Sequence, residues 1–391
     1  MLKTYKIEMK PNEEQKQKIN QTIGVCRFIY NFYIGKNKEV YEQTKKFMSA
    51  NDFSKWLNNE FISNNPSYLW VKDASSKAVK QSIYNAEKAF KRFFKKQSKF
   101  PRYKKKSNTN VKMYLPKNNK TDWTIERHRV KIPTLGFVRL KEFGYVPLNS
   151  KVTSGTVSRH AGKYFVSILV EEADNEKKYI KTKQGIGIDL GIKNFAICSN
   201  EKTFKNINKT QKIKKLEKKL RREQRAFSRK LEVLKKTKKN GGEKSANNSA
   251  NIEKNKLRIQ RINLRLKNIK TEYVRWCVNS LVKANNLPEF ISIEDLNVRG
   301  MMKNRHLSKA IQKQMFYYFR LFLIQQCKKY DVELRIINRF YPSSKLCSCC
   351  GQIKSNLKLS DRLYVCDCGN IIDRDYQASL NIRDCADYKI A

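Results

Sequence analysis

Acidic residues are scarce in this 391-residue chain, and histidine is scarcer still. Lys and Arg number 84 against 35 Asp and Glu, which leaves a formal charge of +49. That excess opposes compaction, and its natural counterweight is a polyanion held through phosphate contacts. The three histidines, His128, His160 and His306, are too few to favour a histidine-metal nuclease or catalysis by a His pair. No run of eighteen apolar residues occurs, so no membrane-spanning helix and no membrane partner are expected. The first residues, MLKTYKIEMKPNEEQ, lack the apolar core of a signal peptide. Half of the cysteines (Cys26, Cys198, Cys277, Cys327 and Cys385) are scattered without a framework, which suits a reducing, cytoplasmic setting.

The other five cysteines fall within the 22 residues from Cys347 to Cys368. Cys347 and Cys350 frame one knuckle, Cys366 and Cys368 a second. Each runs into a glycine, Gly351 and Gly369, where a tight turn wraps backbone around a metal. Four thiolates from two knuckles suit one tetrahedral zinc, so the segment reads as a zinc ribbon, with Cys349 left over.

Upstream, residues 1–106 are mostly helical in period, with Ile19, Ile23, Cys26, Ile29, Tyr30 and Tyr33 near helical spacing. From Lys91 to Lys106 there are nine Lys and Arg and no acid, interleaved with Phe93, Phe94, Phe100 and Tyr103. Basic residues alternating with aromatics suit phosphate contact and base stacking. Residues 107–175 turn to β-branched and aromatic runs, read as a small antiparallel barrel or sheet. GIGIDLGIKNFAICSN reads as a hairpin turning at Gly191, Lys193 and Asn194. An antiparallel helical hairpin is then expected. Ile213, Leu216, Leu220, Phe227, Leu231 and Leu234 mark one arm. Ile259, Ile262, Leu266, Ile269, Tyr273 and Trp276 mark the other, with a polar tip at Thr237–Asn251 between them. Between Lys205 and Lys270 lie 24 Lys and Arg against five Glu. A solvated coiled coil normally balances its charge for (i, i+4) pairing, and this one does not, which favours nucleic acid. A strand over Glu289–Glu294, a helix from Ser308 to Tyr330 and a strand over Val332–Asn338 complete the pattern.

Two-metal phosphodiester hydrolysis needs converging carboxylates. Three acids stand at the edges of apolar elements: Asp189 in GIGID, Glu294 closing FISIE, and Asp375 in DRDYQASLNI. Asp295 would face the opposite side if its strand continues, which favours Glu294. Spacing alone leaves Asp373 as an alternative to Asp375. The order strand Asp, later strand Glu, C-terminal Asp resembles that of RNase H-like nucleases of the RuvC type.

Along nearly its whole length the chain resembles the TnpB family of insertion-sequence RNA-guided nucleases, relatives of the miniature type V CRISPR effectors. The resemblance rests on YKIEMKPNEEQ, GVCRFIYN, FPRYKKK, GIDLGIKNFAI, IEDLNVRGM, YPSSKLCSCCG, YVCDCG and DRDYQASLNI. It implies an α/β plus α+β chain with an RNase H-like RuvC domain over 179–391. That domain would carry a basic helical hairpin (205–285) and a zinc ribbon insert (343–370). It further implies a β-barrel wedge from 1–8 and 107–178 and a helical recognition insert over 9–106. Asp189, Glu294 and Asp375 would bind two magnesium ions and catalyse, while Cys347, Cys350, Cys366 and Cys368 would hold structural zinc. The expected partners are a guide RNA from the transposon end and target double-stranded DNA, at the bacterial nucleoid. Expected nucleic-acid contacts are Lys77, Lys80, Gln81, Arg102, Lys104, Arg221, Arg222 and Arg225. Gln377-Ala378-Ser379 replaces the family's usual Asn-Ala-Ala, which bears on local packing or rate. A nuclease-silent DNA-binding regulator and a CRISPR-associated effector are the alternatives.

Overall fold

The structure, a computed structural model, describes residues 2–106, 112–117, 119, 122–148, 150–172, 180–239, 246–283, 287–358 and 361–391. The expected boundary at 178 and 179, and part of the expected hairpin tip, lie outside the described residues. Two compact units are present, Met1–Asn175 and Glu176–Ala391.

In the first unit, strand β1 (Leu2–Lys10) leads into helix α1 (Glu13–Thr44). Asn12 caps it reciprocally with Gln15: Asn12 Oδ1 accepts the Gln15 N–H at 2.8 Å, and Gln15 Oε1 accepts the Asn12 N–H at 3.1 Å. Helices α2 (Ala50–Trp56), α3 (Ile62–Asn64) and α4 (Ser76–Phe94) follow. They close on an aromatic core in which the Tyr33 ring lies 5.0 Å from Phe53 and 6.3 Å from Phe90. The basic segment beyond α4 is pinned to α1. Asn31 accepts the Lys104 N–H at 2.7 Å and donates to the Lys104 carbonyl at 3.0 Å.

Six further strands join β1: β2 (Met113–Pro116), β3 (Thr124–Ile125), β4 (Arg129–Ile132), β5 (Gly136–Leu140), β6 (Lys151–His160) and β7 (Lys163–Glu171). Their order is β2-β6-β7-β1-β5-β4-β3. Every pairing is antiparallel. Among the described residues the edge strands β2 and β3 are not joined. The period-two pattern of β7 buries Tyr164, Val166, Ile168 and Val170 in one core with Ile7, Val130, Val138 and Val157.

The second unit is built on a mixed sheet. Strands β8 (Ile186–Leu190), β9 (Asn194–Cys198) and β10 (Thr203–Lys205) run antiparallel in succession. Asn194, expected in the turn, is the first residue of β9. Helices α5 (Gln211–Lys239) and α6 (Ala246–Val282) form the basic hairpin. After it come β11 (Phe290–Glu294), α7 (Val298–Met301), α8 (Ser308–Gln314), α9 (Phe316–Tyr330) and β12 (Glu333–Ile337). Strands β13 (Leu363–Val365) and β14 (Ile371–Asp373), helix α10 (Arg374–Asp384) and β15 (Tyr388–Ile390) end the chain. The main sheet order is β10-β9-β8-β11-β12-β15, with β11 parallel to both β8 and β12.

The single helix expected over Ser308–Tyr330 is two helices. Met315 between them adopts a left-handed conformation (φ 60°). Buried Gln314 just before it donates to the carbonyls of Ile192 and Gly191, at 3.2 and 3.4 Å. No Gly or Pro announces this break, so periodicity alone runs through it. In the hairpin, Ile213, Ile262 and Leu266 form the seam. Buried Asn255 donates to Glu223 at 2.7 Å, a polar pairing that fixes the register of the two arms. The seam pattern of α6 changes at its base: Trp276 is 56% exposed, and Val274, Cys277, Val278 and Leu281 turn inward under the sheet.

One face of β8 and β11 (Ile186, Ile188, Ile291, Ile293) packs on α6 and α9. The other is covered by α10, and Gly187 sets how closely. A Cβ there would lie 2.0 Å from the Ser379 carbonyl oxygen and 2.5 Å from the Arg383 nitrogen, both backbone atoms that cannot rotate away. Gly187→Ala is therefore expected to destabilise the second unit by about 3 kcal/mol or more, past the usual overpacking cost. Urea unfolding checks this, and an unchanged midpoint would mean that α10 does not pack this tightly.

Candidate active site and thiolate centre

Sheet register brings the first two acids together. Gly187 stands opposite Ser292 and Ile188 opposite Ile293 in the parallel β8–β11 pair. Asp189 and Glu294 are each two residues on from the Gly187–Ser292 pair, so they lie on the same face, the one covered by α10. Helix α10 brings Asp375 in its first turn, where the helix N-terminus favours a negative charge. Asp373 is engaged elsewhere, as the cap of that helix. Its Oδ1 accepts the Asp375 and Tyr376 N–H groups at 3.0 Å each.

The electrostatics reflect this clustering. Asp189 keeps some solvent exposure but is densely surrounded, and burial pushes its carboxyl up to about 8. The charges of Glu294, Asp375 and Asp373 add to the rise, and Arg374 opposes it. Burial also raises the Glu294 carboxyl, against the opposing bond from Ser343, whose hydroxyl donates to Glu294 Oε1 at 2.6 Å. Asp295 is differently placed: Arg320 donates to it at 2.6 Å and Arg339 also binds it, and these bonds hold its carboxyl low. Asp375 has Arg374 at 3.6 Å and Arg362 at 3.9 Å. An aspartate whose proton affinity is raised by burial and by three neighbouring acids, with two arginines near Asp375, suits a bound cation and a phosphate.

Beside this group, the thiols of Cys347, Cys350, Cys366 and Cys368 all lie within 4.8 Å of one another. The two cross-pairs stand 3.7 Å (Cys347–Cys368) and 3.6 Å (Cys350–Cys366) apart. Ligands at about 2.3 Å around a tetrahedral zinc would be about 3.8 Å apart, so the donor set fits that metal. The knuckle glycines have positive φ, 75° at Gly351 and 85° at Gly369. Burial raises the Cys347 thiol, but backbone N–H groups and the Asn370 amide outweigh it and favour the thiolate.

The expected nucleic-acid residues fall into two groups. Lys80, Arg102, Arg221, Arg222 and Arg225 are exposed. Arg221 and Arg225 line a shallow groove on α5 with Gln224, Ser228 and Arg229. Others are engaged within the fold: Lys77 with Asp122 at 3.1 Å, Gln81 with Asn85 at 3.2 Å, and Lys104 with its ammonium 3.4 Å from the Tyr30 ring centroid.

Sequence reasoning missed Ser343, Asn370, Asn381 and the use made of Gln377. Ser343 stands in the YPSSK motif, which was the available signal. Gln377 is fully buried and uses both ends of its amide, donating to the Leu346 carbonyl at 2.8 Å and accepting from Asn370 at 3.1 Å. Gln377 is thus packed in the fold with its amide hydrogen-bonded at both ends.

Three family models match this chain: "Helix-turn-helix domain" over residues 1–46, "Probable transposase" over 167–305, and "Cas12f1-like, TNB domain" over 316–382. Within the first of these regions the chain forms β1 and the continuous helix α1, not two helices joined by a turn. A "Putative RNA-guided DNA endonuclease" of Streptomyces pristinaespiralis is 28% identical over 385 residues, spanning 97% of this chain and 88% of that protein. "Putative RNA-guided DNA endonuclease InsQ" of Escherichia coli (strain K12) is 27% identical over 380 residues, spanning 93% and 87%. Among solved structures, a Cas12f1–sgRNA–target DNA complex matches with a TM-score of 0.54 at 12% identity, covering 100% of this chain and 99% of that one. That likeness is one of fold. No helix among the described residues is long and apolar enough to cross a membrane.

Two outcomes are expected from this geometry. The ordinary value for an aspartate is 3.8, and the folded chain holds the Asp189 proton up to about 8, so ionising it costs stability as pH rises between those values. Asp189→Asn should therefore raise the melting temperature of metal-free protein more at pH 8 than at pH 5, by about 2–4 °C for each kcal/mol relieved. An equal gain at both pH values would refute the electrostatic account. Elemental analysis should find one zinc per chain, reduced in Cys350→Ser, and a wild-type protein without zinc would sink the ribbon assignment.

Proposed function

We propose that this chain, a TnpB-like protein, cuts DNA at sites selected by a guide RNA. The observation that carries the reading is the meeting of Asp189, Glu294 and Asp375, from two parallel strands and one helix, on one sheet face. Both curated relatives bear the name of RNA-guided DNA endonucleases, and a similar solved structure is a complex with guide RNA and target DNA. Guide RNA and double-stranded DNA are accordingly the partners proposed here. The charge of +49, with its long basic hairpin, supports both.

In this reading residues 179–391 are the RuvC-like nuclease, with 205–285 its basic hairpin and 343–370 its zinc ribbon. Residues 1–8 and 107–178 act as a barrel-like wedge, and 9–106 as the helical recognition insert. The guide comes from the transposon end. The protein recognises a short duplex motif, and guide pairing supplies the longer specificity. A bacterial, nucleoid-associated location follows from such a substrate.

Asp189, Glu294 and Asp375 are the residues that would hold two magnesium ions. Bound there, the pair would supply an activated water and charge stabilisation at the leaving oxygen. The chain's own part is to prepare that site. Ser343 orients the Glu294 carboxylate, which would serve as a metal ligand, by donating to its Oε1. Asp189, whose proton affinity burial and its acidic neighbours raise, would lose that proton to solvent when a dication takes its place beside the carboxylate. Asp373 fixes the first turn of α10 and with it the Asp375 backbone. The four thiolates would hold zinc in a structural role.

The test begins by sequencing RNA that co-purifies with the protein. The identified guide is then reprogrammed against a plasmid target in the presence of magnesium. Cleavage is expected, and Asp189→Ala or Glu294→Ala should reduce it to background while guide-dependent binding persists. Full cleavage by either variant would sink the site assignment. Binding without cleavage by the wild type would point to a nuclease-silent regulator.

A further inference from the structure

The thiolate centre and the acidic group are joined by a short run of polar contacts. Asn370 follows Gly369, the glycine into which the second knuckle runs. Its side-chain nitrogen lies 3.4 Å from Cys347 Sγ and 3.1 Å from Gln377 Oε1, so one amide serves a metal-ligand sulfur and a residue of α10. Its orientation is fixed on chemical grounds, since both partners are acceptors. Gln377 in turn donates at 2.8 Å to the carbonyl of Leu346, the residue before Cys347. This closes a loop from thiolate to helix and back. Gln377 lies two residues beyond Asp375, in the opening turns of the same helix. Farther along, Asn381 donates to the Leu346 and Ser343 carbonyls, both at 2.7 Å, and the Ser343 hydroxyl reaches Glu294.

We propose that Asn370 and Gln377 are positioning residues through which the metal state of the four thiolates sets the placement of Asp375. Metal-bound sulfur is a fixed acceptor. It anchors the Asn370 amide, which anchors the buried Gln377 side chain and with it the first turns of α10. Without metal the Cys347 thiol loses its fixed position and Asn370 gains freedom to leave Gln377, whose oxygen is then buried without a partner. Such a loss costs about 1–3 kcal/mol, enough to displace a helix end. Hydrogen-bonding partners around metal ligands commonly change metal affinity or activity by about 10–100-fold. The coupling is reciprocal by linkage: a change at Gln377 alters metal retention as a change at Asn370 alters the acidic site.

This inference rests on the zinc reading of the four cysteines and, for its second arm, on the nuclease reading. The first arm measures zinc transfer from the purified full chain to a chromogenic chelator. Gln377→Ala, although it touches no cysteine, should release zinc about tenfold faster. Asn370→Ala should match or exceed that, and the double variant should be no faster than Asn370→Ala alone. Asn381→Ala is the control. It also removes a bond to the Leu346 carbonyl but none to Asn370, and its release rate should stay within about twofold of wild type. Equal acceleration in Asn381→Ala and Gln377→Ala would overturn the relay in favour of general loosening, and so would an unchanged rate in Gln377→Ala. The second arm uses Asn370→Ala, a half-exposed site suited to folding, at saturating zinc. Its single-turnover cleavage should fall about tenfold while target affinity is unchanged, whereas equal loss of both, or of neither, refutes the positioning role. A wild-type chain that holds no zinc fails both the zinc reading and the relay. One that holds zinc but does not cleave fails the nuclease reading alone, and the release assay still decides the relay.

Discussion

The second unit depends on a backbone-to-backbone approach at Gly187. The helix that crosses there comes so near the sheet that no side chain fits between them. The approach lowers the first turn of α10 to the level of two strand ends, so an acid in that turn can meet two acids on the strands. Glu294 and Asp375, 105 and 186 positions from Asp189 in sequence, thus both act on its carboxyl. The sheet supplies direction, since parallel strands present their ends on one side. The helix supplies the third group with a positive dipole end behind it.

Charge is apportioned in a consistent way. Two acids of the basic hairpin serve internal ties. Glu217 reaches Lys313 of α8 at 2.7 Å and Lys270 of α6 at 3.9 Å, and Glu223 receives Asn255. Acids used inside do little to neutralise the outside, and Arg221, Arg222, Arg225 and Arg229 of α5 face solvent. The same economy holds at the site. Asp295 is bound by two arginines and Asp373 by two backbone N–H groups, which leaves Asp189, Glu294 and Asp375 as the carboxylates without a structural partner of that strength.

Much of this arrangement was legible in the sequence because it rests on local rules. Knuckle spacing and the glycines after each pair identify the thiolate centre. The apolar runs GIGID and FISIE are strands, and alternation along FISIE puts Glu294 and Asp295 on opposite faces. Other features depend on partners distant in sequence and leave no local trace. Nothing in SKAIQKQMFYYF announces the turn at Met315, because the cause is a buried Gln314 reaching a loop more than 120 residues earlier. Lys77 and Lys104 look like free cations, yet one faces Asp122 and the other a tyrosine ring. Trp276 continues the hairpin's period but is exposed, since α6 exchanges a coiled-coil partner for a sheet at that point and its inward face rotates.

That exchange happens within a single 37-residue helix. At 1.5 Å per residue it is about 55 Å long, with its far arm basic and its base embedded in the core. The two functions therefore share one rotational phase. Residues added near the tip lengthen the arm and leave its bearing unchanged. One residue inserted between Leu266 and Val274 would swing the whole basic arm by about 100° around the helix axis relative to the sheet. Length can vary freely at one end of this element, while at the other it is fixed to the residue.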